Sequence, residues 1–523
     1  MENISKIAST GRHAVTIQVP PHWNDHRFQG RAVLPAVVAM QLLSNWMQQQ
    51  HPPINPCHIK RARFEKFLNL PQTNEPIEAF VDLENGTDGS VRVALLTKTK
   101  AKSVKITRTK VHAQVDFVRS EGRPVEPALD LAAILEGNCF KVDPRQIYQD
   151  LVPFGPSFRN IVKPLCLTHE GALAWIAAPD LPDNKTALPL GSPFVLDAAF
   201  HAACVWSQRF ADVVAFPIGI EERIVLKPTQ PGQTYISRVF PIKIDDDVLI
   251  FDLWILDQEG AVLELLKGVK MRDVSGGRLR PPHWIQSEVN LARPDRLNPY
   301  CSKIVLAERD TLMPFAHKCL TVSEKRKTIG MGEKRRIDYI ATRMVLKRLS
   351  RKLSSDDDQT PAPKIATIKA DNIRPQCLST DGTRSFFCSA SHDHRFVLAA
   401  ASNRPLGVDV EALSEKVLKG LHLFMNPAEM ERIRSCRLDE IDASIRVWSI
   451  KESVAKAMQI SLADAWHGTE VITIGARLSE LKFNGRQTGQ AVHQQFNHHL
   501  FTLVYWPDNK SDSQSDSQPD RKP

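Results

Sequence analysis

Apolar and polar positions follow one order twice in the front half of this 523-residue chain. Pro35 precedes the almost wholly apolar run 36–43, which predicts a helix that is apolar nearly all round and must therefore be buried. Segments 77–83, 91–97 and 104–117 follow, each with enough two-residue alternation for a half-buried strand. A helix wrapped by an antiparallel sheet accounts for this order. After a hinge near 118–130 it recurs: Pro193 opens a second apolar helix over 193–204, and strand patterns return at 235–241, 248–256 and 262–271. The front half thus reads as an internal duplication of a helix-in-sheet unit.

Segment 272–299 holds Gly276-Gly277 and Pro281, Pro282, Pro294 and Pro299 without sustained periodicity, which makes it the best boundary. Beyond it, 338–347 reads as a basic helix and 396–401 as an apolar run. Gly407-Val408-Asp409-Val410-Glu411 alternates, so a strand there buries Val408 and Val410 and aims Asp409 and Glu411 together from its other face. In the run Trp448-Ser449-Ile450-Lys451-Glu452-Ser453-Val454-Ala455-Lys456-Ala457, helical spacing stacks Glu452 and Lys456 on one face, with Trp448 a turn earlier. The end, 507–523, is Ser, Asp, Gln, Lys and Pro without an apolar anchor and is expected to be disordered. The expected division is a first domain over 1–275, a linker over 276–303, a second domain over 304–506 and a tail over 507–523.

Composition narrows the class. An apolar share of 42% and a charged share of 24% are those of a soluble globular protein, and the length suggests two or three domains. No stretch approaches the roughly 18 to 20 apolar residues of a spanning helix; even 248–256 is broken by Asp252, and residues 1–11 lack the apolar core of a secretory signal. Nine cysteines without a Cys-x-x-Cys pair fit neither a disulfide framework nor a zinc site, so a reducing cytoplasm is the expected home. The formal charge of +9 comes from clusters at 98–110, 325–336 and 347–352, which suit nucleic acid, an acidic protein or a nucleotide cofactor alike. No recognition helix or stacking-aromatic motif accompanies them, so nucleic acid is not the expected partner.

Asp409 and Glu411 side by side repel each other, and a hard divalent cation offsets that repulsion. A few carboxylates completed by water and substrate phosphate are the usual arrangement for magnesium, and Glu452 supplies a third carboxylate. The bland alternatives are a solvated strand edge and a surface ion pair. Ser389-Ala390-Ser391-His392 adds hydroxyls and an imidazole suited to an anion. In the front half, Asp197 and His201 lie one turn apart inside an otherwise apolar helix, where a buried charge is costly unless paired or functional. Either the pair fills the core, or Asp197 is kept partly protonated by desolvation and faces His26 across a cleft between the two copies.

Two resemblances join these residues. Ser389-x-Ser391-His392, then Gly407-Val408-Asp409-Val410-Glu411, then Trp448-Ser-x-Lys-Glu-Ser-x-x-Lys-Ala resembles the 4'-phosphopantetheinyl transferase family over roughly the last two hundred residues. The resemblance implies a pseudo-twofold α+β domain in which Asp409, Glu411 and Glu452 hold Mg2+ on the pyrophosphate of coenzyme A. The phosphopantetheine arm would pass to a serine of an acidic acyl carrier protein. It further implies Glu452 through water, or Glu429, as the base, and Lys456 beside the departing 3',5'-ADP. Ser391, His392, Arg343, Lys347 and Arg374 would serve the coenzyme, although Ile373 stands where the family has glycine before Arg374-Pro375.

His26-x-x-x-Gly30-x-x-x-x-Pro35, Phe154-Gly155-Pro156-Ser157-Phe158-Arg159 and Asp197-x-x-x-His201 resemble the double-hotdog dehydratase domain of polyketide and polyunsaturated fatty acid synthases, over about 10–275. This implies that His26 removes the α-proton of a β-hydroxyacyl thioester and that Asp197, with His201 a turn on, protonates the departing hydroxyl. Where the family commonly has tyrosine, this chain has Phe154. A carrier-docking or acyl-chain-binding module without catalysis is the second reading of the front half, and a homodimer through the hotdog part stays open. The fold class expected for the whole chain is α+β.

Overall fold

The structure, a computed structural model, describes residues 11–507 apart from 51–53, 74, 87–89, 101–106, 119–130, 182–187, 246, 288–292, 355–357, 359, 366, 368–375 and 381. Arg374 and most of the expected tail therefore lie outside the described residues. The chain forms two compact units, Met1–Leu129 with Cys139–Leu291, and Asp130–Asn138 with Ala292–Pro523. The second unit thus takes in residues from within the front half, unlike the contiguous division expected. Electrostatics and backbone pairing account for this: Glu136 receives Arg348 and Lys352, and the Gly137 N–H donates to the Leu306 carbonyl.

In the first unit, α1 (Ala36–Gln50) and α2 (Pro193–Phe210) are the two apolar helices. Every residue of α2 from Phe194 to Gln208 is buried, as an all-round apolar surface demands. The strands are β1 (Gly11–Ile17), the short hairpin β2 (Arg27–Phe28) and β3 (Arg31–Ala32), β4 (His58–Arg63), β5 (Ile77–Asn85), β6 (Val91–Lys100) and β7 (Thr107–Phe117). The second copy adds β8 (Phe140–Val142), β9 (Leu165–Thr168), β10 (Gly171–Ala177), β11 (Phe216–Val225), β12 (Thr234–Asp245), β13 (Val248–Leu256) and β14 (Val262–Arg272).

Apart from the hairpin, these strands make one 12-stranded sheet in the order β1-β5-β6-β7-β4-β11-β14-β13-β12-β10-β9-β8. Each half of it wraps one helix, and the halves join where β4 pairs antiparallel with β11. This is a double hotdog. Residues 283–286 still belong to it, since Ile285 is fully buried and Arg209 donates to the carbonyls of Ile285 and Ser287.

The second unit pairs long helices with antiparallel sheets twice, an α+β arrangement. Helix α3 (Glu333–Ser354) packs on the sheet of β15 (Lys303–Glu308), β16 (Gln376–Leu378), β17 (Ser385–His392) and β18 (Phe396–Ser402), ordered β15-β18-β17-β16. After α4 (Pro427–Ser435), helix α5 (Glu440–Met458) packs on β19 (Leu406–Ala412) and β23 (His499–Tyr505). These two belong to the sheet β19-β23-β22-β21-β20, with β20 (Thr469–Thr473), β21 (Leu478–Phe483) and β22 (Gln487–Phe496). Helix α5 starts sharply because the Asp439 side chain accepts from the N–H groups of Ile441 and Asp442.

Strand β19 is buried on both faces. Val408 and Val410 point into one core, and Asp409 on the other side is only 1% exposed because α5 covers it. The contact is so close that a Cβ added at Gly407 would sit 1.8 Å from the Ser453 carbonyl oxygen. Since the neighbour is helix backbone rather than a movable side chain, Gly407→Ala is expected to destabilise the second unit by about 1–3 kcal/mol. Chemical denaturation followed by tryptophan fluorescence checks this; an unchanged midpoint would show that α5 can be lifted at little cost.

Candidate active sites

Strand β19 and helix α5 bring Asp409, Glu411 and Glu452 together, with one oxygen from each within 4.8 Å of the others. Lys456, one turn after Glu452, places its Nζ 2.6 Å from Asp409 Oδ1 and 3.3 Å from Glu452 Oε2. Lys456 also donates to Ser391 Oγ at 2.9 Å, and Ser391 donates to Asp409 Oδ1 at 2.9 Å. Trp448 donates from its indole to Glu411 Oε1 at 3.0 Å. Ser389, two residues before Ser391, accepts the Val408 N–H and fixes β17 against β19.

Burial, and then the neighbouring Asp409, push Glu411 up to about 7 and raise Glu452 as well. Burial opposes the charge on Lys456, but Asp409 and Glu452 outweigh it and hold the ammonium above its ordinary range. Three crowded carboxylates and one ammonium leave excess negative charge. Asp409 Oδ2 is buried and accepts no hydrogen bond among the described residues. An all-oxygen set with an orphaned carboxylate oxygen fits a hard divalent cation such as Mg2+.

The expected coenzyme residues divide. His392 and Arg343 line a cleft of 650 Å3 together with Lys334, Arg335, Asp338 and Tyr339. His392 is lowered chiefly by burial, against Asp338 at 3.8 Å, and Arg343 reaches Thr367 Oγ1 at 2.7 Å. Lys347, one turn further along α3, does not face this cleft. It is fully buried, paired with Glu324 Oε2 at 2.7 Å and donating to the Ala362 carbonyl, so it is a structural cation rather than a coenzyme ligand.

Glu429 is corrected in the same way. It is fully buried, and its oxygens are taken by Lys451 Nζ at 2.8 Å and by the N–H groups of Asn426 and Val471. With a capping box and an ion pair to maintain, it has no role left as a base.

In the first unit a cavity of 770 Å3 is lined by His26, Asp197, His201, Phe154, Phe200 and Leu34, among others. His26 Nδ1 faces the Val33 carbonyl at 3.1 Å, which assigns the proton to Nδ1 and leaves Nε2 free, 3.9 Å from Asp197 Oδ1. Burial lowers the His26 pKa. The loop carrying His26 is clamped to the second copy: Ser157 N–H donates to Asp25 Oδ2, Gly155 N–H donates to the Asp25 carbonyl, and a Cβ at Gly155 would meet Asp25 Oδ1 at 2.3 Å.

Asp197 Oδ2 is 2.9 Å from His201 Nε2, although the two are not aligned as a hydrogen bond. Burial would raise the Asp197 carboxyl, but His201 and His26 outweigh it and the net shift is downward. The expectation of a partly protonated Asp197 is therefore corrected: two imidazoles hold it ionised. The Phe154 ring lies 4.4 Å from that of His26, while a phenol comes from elsewhere, Tyr148, whose hydroxyl stands 3.5 Å from His201 Nδ1 and accepts the Ile161 N–H. Sequence reading missed Tyr148, Lys334 and Arg335 as site residues; the basic run at 325–336 was the only signal for the last two.

Two family models match this chain. "Polyketide synthase dehydratase N-terminal domain" matches residues 126–281, which hold Asp197 and His201 but not His26. "4'-phosphopantetheinyl transferase superfamily" matches residues 405–504, which hold all three converging carboxylates and Lys456. A curated relative, 4'-phosphopantetheinyl transferase gsp of Aneurinibacillus migulanus, is 31% identical over 81 residues, 14% of this chain and 34% of the relative. The chain thus spans about a third of the length of that relative.

Among solved structures, a trans-AT polyketide synthase dehydratase domain from Brevibacillus brevis is 19% identical, covering 52% of this chain and 96% of its own, with a TM-score of 0.43. The dehydratase domain from the CurF module of curacin polyketide synthase is 18% identical with the same coverages and TM-score. The chain joins a polyketide-synthase-type dehydratase domain to a domain of the 4'-phosphopantetheinyl transferase superfamily.

Lys451→Met strands the Glu429 charge in the core and is expected to cost about 3–5 kcal/mol. Adding Glu429→Gln should restore much of that loss. Urea denaturation of the two variants checks it, and equal stability of Lys451→Met and wild type would contradict a structural role for the pair.

Proposed function

We propose that the second unit transfers the 4'-phosphopantetheine arm of coenzyme A to a serine of an acyl carrier protein, releasing 3',5'-ADP. The observation that carries this reading is the convergence of Asp409, Glu411 and Glu452 beside Lys456, with no hydrogen-bond partner for Asp409 Oδ2 among the described residues. Magnesium held by these carboxylates would polarise the pyrophosphate and offset charge on the leaving phosphate. Glu452, whose pKa burial and Asp409 raise, takes the serine proton through water. The serine oxygen bonds to the β-phosphorus as its bond to the 3',5'-ADP oxygen breaks. Lys456 balances the charge on that side. His392, Arg343, Lys334 and Arg335 supply a basic cleft for the coenzyme's 3'-phosphate end. The net charge of +9 suits an acidic carrier.

Apo-carrier incubated with coenzyme A and Mg2+ should gain the mass of one phosphopantetheine arm. Asp409→Ala should abolish the gain and chelation should prevent it; a modified carrier in either arm would overturn the reading.

The first unit, on the same proposal, dehydrates β-hydroxyacyl thioesters on such a carrier, with the acyl chain in the 770 Å3 cavity. His26 Nε2 takes the α-proton. The Cβ–O bond breaks, and the hydroxyl leaves as water with a proton supplied by the Asp197–His201 pair. Joining both activities in one chain raises their effective concentration around one carrier. No described helix is long and apolar enough to cross a membrane.

His26→Ala should end enoyl formation from a β-hydroxyacyl carrier. The base form of His26 predominates above its pKa, which burial holds below 6.5. The dehydration rate should therefore stay level near neutral pH and fall only as the pH drops below that value. Full activity of His26→Ala, or none in wild type, would favour the acyl-holding module instead, a reading to which Phe154 already lends weight.

A further inference from the structure

We propose that Asp393, His394 and His499 form a second divalent-metal site, of zinc-binding type, distinct from the three carboxylates around Asp409. Asp393 and His394 occupy the tight turn between β17 and β18, and His499 opens β23 after the left-handed pair Asn497 and His498, at φ 49° and 58°. One donor atom from each of the three lies within 4.8 Å of the others.

Each buried donor is held for a ligand by its other atom. Asp393 Oδ1 accepts the N–H groups of Arg395 at 2.8 Å and Phe396 at 2.7 Å, which leaves Oδ2. His499 Nδ1 faces the Asn497 carbonyl at 2.7 Å, which places a ring proton there and points Nε2 at Asp393 Oδ2, where a metal would displace any proton shared between them. Backbone orientation of this kind is the usual support of a metal-bound histidine. The Asp393 and His499 side chains are 10% and 5% exposed, and neither Oδ2 nor Nε2 makes a hydrogen bond among the described residues.

Oδ2 and Nε2 are nevertheless 2.7 Å apart, and His394 Nδ1 is 3.3 Å from Oδ2. Close but misaligned donors suit a coordination polyhedron after a small spread, since ligands about 2.0–2.2 Å from a common tetrahedral zinc stand roughly 3.3–3.6 Å from one another. Two imidazoles and a carboxylate suit zinc better than magnesium, which prefers oxygen. His394, 70% exposed, is free of the core and can turn its ring to complete the set. Metal there would tie the β17–β18 turn, next to His392, to the start of β23.

The test is titration of the chelator-treated full chain with Zn2+ by calorimetry, and with Co2+ by visible absorption, in excess Mg2+. One equivalent should bind in wild type and in Asp409→Ala. Affinity should fall on the order of tenfold or more in His394→Ala, whose exposed position spares the fold. Loss in Asp409→Ala with retention in His394→Ala would assign the metal to the carboxylates. Absence of binding in wild type would leave a proton-bridged Asp393–His499 pair. Either result overturns the proposal. Carrier modification is not the readout, so the transferase reading stands or falls separately.

Discussion

Helix α5 lies on strand β19 with nothing but a glycine hydrogen between the Ser453 carbonyl and the Gly407 backbone. Asp409 and Glu411 ride on the strand, while Glu452 and Lys456 ride on the helix one residue before and three after that contact. The spacing between backbones therefore sets the spacing between charges. A helix held off by even one methyl group would separate carboxylates that now converge within 4.8 Å, and the Lys456 contacts to Asp409 and Ser391 would open together.

Such a site is unfavourable taken alone. Burial and mutual repulsion push protons onto Glu411 and Glu452, and the protein tolerates this because Lys456, Trp448 and Ser391 each hold one oxygen in place. The cost is met elsewhere by pairs that do no chemistry. Lys451 with Glu429 and Lys347 with Glu324 are buried, hydrogen-bonded and mutually satisfied; the first ties the start of α4 to α5, and the second ties α3 to the segment around Glu324. Charge in this unit therefore serves two purposes, and burial with full satisfaction separates the anchors from the reactive set.

Much of this was legible in the sequence because period and spacing are local. Four residues from Glu452 to Lys456, two from Asp409 to Glu411, and a proline ahead of each apolar helix carry their meaning in the chain itself. What was not legible depends on partners distant in sequence. Lys347 and Arg343 look alike a turn apart, yet Glu324 claims one and a cleft the other. Glu429 looks like a free acid until Lys451 and Val471 close on it. Tyr148 reaches His201, and residues 130–138 join a unit whose body begins at 292, through contacts that no periodicity records. The ionised state of Asp197 likewise needed both imidazoles in view.

The duplicated hotdog has become unequal. Asp197 and His201 stand four and eight residues after Pro193; at the same distances from Pro35 the first helix has Ala39 and Leu43, both buried and apolar. The first copy contributes His26 on a loop fastened through Asp25 to Gly155 and Ser157, and the second contributes Asp197 and His201. Neither repeat retains a whole centre. His26 and the Asp197–His201 pair therefore line one cavity only when both copies are folded together, and neither copy expressed alone could present the set.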